Sequence, residues 1–190
     1  MEATKNITEP AQWVEQYADT LFKFAISRVG DTETAKDLVQ DTFLSALKNT
    51  TTFRGEISEK NWMFTILKNK IIDHYRSSAK SLVSSLDEYL EKANDYFDED
   101  GNWQLSAKPQ QWGIDYAQNI ETKDFYEILE KCKKKLNELQ NMVFTMKYLD
   151  DSDSEKICKE LNISSSNYWV LIHRAKLQMR QCLGKNWFKK

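Results

Sequence analysis

Apolar side chains that recur every three to four residues, with little to interrupt them, restrict this chain to helices. Ala35, Leu38, Val39, Thr42, Phe43, Ala46 and Leu47 fall at i, i+3, i+4, i+7, i+8, i+11 and i+12, the stripe of an amphipathic helix of about four turns. Trp13, Tyr17, Leu21, Phe24 and Ala25 make another stripe that stops at Gly30-Asp31, and Phe64, Leu67, Ile71 and Tyr75 make a third. Five Gly and two Pro in 190 residues supply few breaks. The expected fold class is all-α, and a chain of this length buries an adequate core as one or two domains.

Asp153 to Arg180 reads as helix, turn, helix. Ile157, Cys158 and Leu161 line the first helix. Asn162 then offers the non-Gly residue type that best accepts a left-handed backbone, and Ser164 is placed to cap the second helix. Tyr168, Leu171, Ile172, Ala175 and Met179 face inward, while Ser166, Trp169, Val170, His173 and Arg174 face outward. An outer face with donors, apolar contacts and no acid suits a major groove. An ordinary helical hairpin has the same apolar pattern. Leu177 falls on the outward side of this wheel without an assigned role.

The formal net charge of −2 conceals segregation. Residues 54–80 carry 6 bases and 3 acids, residues 81–130 carry 3 bases and 12 acids, and residues 165–190 carry 6 bases and no acid. Two basic patches flanking an acidic stretch suggest two polyanion-binding modules, although basic helix ends are also commonly just solvated. Expected boundaries are a first module over 11–80, an acidic linker over 81–121 and a second module over 122–190. The linker holds Tyr96, Phe97, Trp103, Trp112 and Tyr116, too many rings for a wholly unpacked spacer.

Cys132, Cys158 and Cys182 are odd in number and lie at separate helical positions. They read as reduced, mostly buried thiols of a cytoplasmic protein. No CxxC is present and only two His, so no metal site is expected. No apolar run reaches membrane-spanning length and MEATKNITEP is no signal region. Gly-rich phosphate loops, HExxH and GxSxG are absent, so no enzyme activity, cofactor or small-molecule substrate is expected.

Two further surfaces stand out. Asp37, Gln40, Asp41, Leu44 and Lys48 lie on one strip opposite the apolar stripe of their helix. Leu44 among carboxylates is either a stray surface residue or the anchor of a protein-docking site. On the next helix Asn61, Trp62, Thr65, Asn69, Asp73 and Arg76 lie opposite the buried stripe, with Lys60, Lys68 and Lys80 at the margins. An indole beside amides and cations can stack an unpaired base and hold its phosphates. It can equally pack against a neighbouring module.

These blocks together resemble the sigma factors of the sigma-70 class, in the small extracytoplasmic-function (ECF) type that keeps regions 2 and 4. AKDLVQDTFLSALKN, FRGE and NWMFTILKNKIIDHYRS carry the region 2 likeness, and LNELQNMVFTMKYLDD with SEKICKELNISSSNYWVLIHRAK carries that of region 4. The resemblance implies a dissociable subunit that directs core RNA polymerase to promoters. It implies that Asp37, Gln40, Asp41, Leu44 and Lys48 meet the β′ clamp helices, with the β flap as a further contact. It implies that Phe53, Arg54, Lys60, Asn61, Trp62, Thr65, Lys68, Asn69 and Arg76 bind the melted −10 element. Ser165, Ser166, Trp169, Val170, His173, Arg174 and Lys176 would read the −35 duplex, and an anti-sigma factor is implied as a partner. Asn167-Tyr168 and Leu171 depart from a Thr-Val pair and an Arg common in relatives, so the −35 sequence does not transfer. A helix-turn-helix regulator of duplex DNA is the alternative, but it leaves the Trp62 helix and the Leu44 strip without tasks.

Overall fold

The computed structural model describes residues 10–82 and 122–187. Apart from residues 81 and 82, the expected linker, its aromatic residues included, lies outside them. Among the described residues every regular element is helical, and no helix is long and apolar enough to cross a membrane. The chain divides into two compact units after Ser77.

The first unit contains α1 (Trp13–Val29), α2 (Thr32–Lys48) and all but the last residues of α3 (Glu59–Leu82). Gly30 ends α1 at φ 75°, a left-handed conformation that lets its N–H reach the Ile26 carbonyl, which is why glycine serves there. The next residue, Asp31, starts α2 by accepting the Thr34 N–H at 2.8 Å. Ser58 starts α3, its hydroxyl accepting from the Asn61 N–H at 3.3 Å.

Leu21, Ala25, Ala35, Leu38, Val39, Met63, Leu67 and Ile71 are among the buried core residues. Two expectations change at the margins of their helices. Met63 is fully buried where Phe64 was expected, and Phe64 is half-buried, its ring edge-on to Phe24 at 5.1 Å between centroids. Leu47 is 48% exposed, because it sits at the rim of the stripe where Ala46 closes the contact.

Hydrogen bonds fasten α3 to α1 near both ends of α1. The Glu59 carboxylate accepts from the Trp13 indole at 2.7 Å and the Tyr17 hydroxyl at 3.0 Å. The Tyr75 hydroxyl donates to the Arg28 carbonyl at 2.9 Å. Early residues meet early and late meet late, so the two helices run in the same direction.

The second unit contains α4 (Thr122–Lys133), α5 (Glu138–Tyr148), α6 (Ser154–Leu161) and α7 (Ser165–Asn186). Asn137 and Gln140 close α5 with a reciprocal capping box. Asp153 caps α6, accepting from the Lys156 N–H at 2.7 Å. α7 packs on each of the other three, burying Tyr168, Leu171, Ile172, Ala175 and Met179.

Two readings of this unit are corrected. Leu177 is buried, forming part of the wall of a groove that Phe144, Tyr148 and Leu183 also line. Cys132 and Cys182 are joined in a disulfide across α4 and α7, with Cα atoms 5.7 Å apart. Positions 50 residues apart show no pairing signal in sequence; packing α4 on α7 brings them together. Cys158 is a free thiol, and burial pushes its pKa up.

Candidate nucleic-acid interface

The helix-turn-helix geometry follows from two local residues. Asn162 takes φ 53° and ψ 47°, and the Ile163 N–H returns to the Cys158 carbonyl at 3.0 Å. Ser164 then accepts the Asn167 N–H at 3.1 Å. The turn therefore costs little strain, since Asn tolerates this backbone region.

On the outer face of α7 the Trp169 ring is 61% exposed, braced edge-on by the buried Tyr168 at 5.1 Å. Ser165, Ser166, His173 and Lys176 are exposed, and Val170 and Arg174 are half-buried. The first turn of α7 contains no acid, so the positive end of the helix dipole is not neutralised there. One ridge thus combines a helix N-terminus, hydroxyls, an aromatic plate and cations.

On α3, Lys60, Asn61, Thr65, Lys68, Asn69 and Arg76 are all exposed. Thr65 donates its hydroxyl to the Asn61 carbonyl at 3.0 Å. Arg76 pairs with Asp73 at 2.8 Å in an exposed i, i+3 bridge, a contact of little stabilising value. Trp62 is half-buried. Its ring centroid lies 4.7 Å from Phe53 and 6.2 Å from Trp13.

Phe53 is only 5% exposed. Its ring therefore supports Trp62 from below, whereas the neighbouring Arg54 projects outward, 3.9 Å from Glu56. The sequence reading missed Glu59. A carboxylate in the first turn of a helix reads as a solvated dipole partner, yet Glu59 is 7% exposed and holds the end of α3 that carries Trp62. Only its position beside Trp62 hinted at this.

The third surface lies on α2. Asp37, Gln40, Asp41 and Lys48 are exposed, and Leu44 is 52% exposed among them. Asp41 is 3.8 Å from Lys70 of α3. Among the described residues no cluster of His, Cys, Asp and Glu could hold a metal ion.

Comparison with known proteins follows this division. Residues 13–81 match the family description Sigma-70 region 2, and residues 126–179 match Sigma-70, region 4. Over 172 residues the chain is 35% identical to a probable RNA polymerase sigma factor of Haemophilus influenzae, covering 90% of this chain and 88% of the relative. The ECF RNA polymerase sigma factor BldN of Streptomyces coelicolor is 37% identical over 78 residues, 40% of this chain and 30% of that one. This chain belongs to the RNA polymerase sigma factors, ECF type. RNA polymerase sigma factor YlaC of Bacillus subtilis is 26% identical to this sigma factor, over 90% of each chain. The α3 ridge and the α2 strip fall in its region 2, and the α7 ridge in its region 4. Like its relatives, this sigma factor is a promoter-directing subunit of RNA polymerase.

Proposed function

We propose that the three surfaces divide promoter recognition between them. The outer ridge of α7, with Ser165, Ser166, Trp169, Val170, His173, Arg174 and Lys176, enters the −35 major groove. The α3 ridge, with Lys60, Asn61, Trp62, Thr65, Lys68, Asn69 and Arg76, holds the unpaired −10 strand, and Arg54 adds a cation beside it. The α2 strip docks on the β′ clamp helices through Leu44, flanked by Asp37, Gln40, Asp41 and Lys48, and region 4 meets the β flap. The observation that carries this reading is the α3 ridge, where a braced indole adjoins two exposed amides and two exposed lysines.

Its chemistry accounts for strand opening without ATP. Each base stacked on an aromatic ring recovers about 1–3 kcal/mol, a return available only after the base leaves the duplex. Phosphate contacts from lysines fix the strand without reading sequence. The protein acts in the cytoplasm, contributes binding energy and no chemical step, and is held in reserve by an anti-sigma factor.

The test is transcription of genomic DNA by core RNA polymerase with this chain, mapping RNA 5′ ends. The expected result is a set of starts that share two spaced upstream elements. W169A should lose starts according to their −35 sequence, and N69A should weaken open complexes at all of them. Starts that ignore both substitutions would remove the assignment of these ridges.

A further inference from the structure

We propose that the cleft over the Cys132–Cys182 disulfide is a thiol–disulfide exchange site for a small thiol that bears carboxylates. The cleft, about 540 Å³, is lined by Ile128, Lys131, Lys134, Lys135, Cys182 and Asn186, a size suited to a small ligand. Lys131, Lys134 and Lys135 are exposed, and none makes an ion pair among the described residues. Lys133 does not contribute, because it is buried and lies 3.2 Å from Glu130. Three ammonium groups therefore attract an anion to a cleft with a disulfide sulfur in its wall.

The two sulfurs are not equivalent. Cys182 lines the cleft, and the Asn186 amide donates to its Sγ at 3.4 Å. Both cysteines belong to one core cluster with Leu136, Ala175 and Met179, Cys132 1% and Cys182 6% exposed, and Cys132 is not among the residues that line the cleft. Attack is thus directed to Cys182. Neighbouring cations and a hydrogen-bond donor favour the Cys182 thiolate, which assists its departure in the second step.

The exchange balances in two steps. The incoming thiolate attacks Cys182 Sγ, forming a mixed disulfide, and Cys132 Sγ leaves as a thiolate that takes up the proton. A second thiolate attacks the ligand sulfur of that mixed disulfide, and Cys182 leaves as a thiolate. Two small thiols become one small disulfide, and the protein disulfide becomes two thiols. A subunit that works beside RNA polymerase sits in a thiol-rich compartment, where a disulfide is exchanged and not inert. The inference rests on the proposed function for this compartment alone.

The probe is glutathione, with the full-length protein followed by intact mass. The triple variant K131Q/K134Q/K135Q should react roughly tenfold more slowly with glutathione than the native chain, at the low end of electrostatic steering. Mercaptoethanol, which has no carboxylate and attacks as a singly charged thiolate, should be slowed less than glutathione by the triple substitution. C132S should take up glutathione on Cys182 from its disulfide, and C182S should leave Cys132 unmodified. Equal glutathione rates in native and triple-variant proteins would overturn the proposal, as would preferential modification of Cys132. These readouts need neither polymerase nor DNA, so they separate this site from the promoter assignment.

Discussion

At Glu59 one carboxylate receives two aromatic donors from α1, the Trp13 indole and the Tyr17 hydroxyl. Truncation to Ala leaves the Trp13 N–H buried without its acceptor, and hydrogen bonds to a charged group are each worth about 1.5–3 kcal/mol. E59A should therefore lose roughly 3 kcal/mol in urea unfolding, with E59Q, which keeps one acceptor oxygen, losing about half as much. The opposite ranking would remove the carboxylate from this role. Asp31 gives a pH effect of known sign. The Thr34 backbone N–H, first among several causes, holds its pKa below the ordinary 3.8. Its contribution is complete above the ordinary value and disappears as pH falls through the lower folded value. D31N should flatten that part of the acid limb when helicity is followed by circular dichroism, since Asn caps without titrating.

Helices α2 and α7 show how much a pattern of residues reveals. Helix limits were legible because caps are local: Asp31, Asp153, Asn162 and Ser164 each act within four residues of their own position. The outer ridges were legible for a related reason, since a wheel separates Trp169 from Leu171 without knowledge of any neighbour. What the wheel does not settle is its margin. Met63 against Phe64, Leu47 against Ala46, and the fate of Leu177 depend on which helix packs beside each residue. Glu59 is the extreme case, because its partners lie 46 and 42 positions away. On α2, Leu44 tests whether exposure means docking. L44A should leave the melting temperature nearly unchanged, as exposed substitutions usually fall within about 0.5 kcal/mol. It should weaken binding to core polymerase about tenfold, as expected for a modest interface anchor. Equal affinity of both proteins in a core-binding assay would return Leu44 to the ordinary surface.

For the molecule as a whole, the two units are stabilised by different means. The first relies on an apolar core and interhelical hydrogen bonds, whereas the second adds a covalent link between positions 50 apart in sequence. Chain-entropy arguments assign about 4 kcal/mol to closing a loop of that size. Reduction should lower the unfolding free energy of the second unit by about that amount and leave the first unchanged, which peptide-resolved hydrogen exchange can distinguish. Loss of protection in both units would mean that their stabilities are not separate. The fastenings of α3 at Glu59 and Tyr75 also have a mechanical meaning. A beam supported near both ends deflects little under a load applied between them. In the proposed role the load is a base drawn out of its stack onto Trp62, and α1 shares it. The strand must yield while the ridge keeps its shape, so the sigma factor serves as the rigid jig against which DNA is bent open.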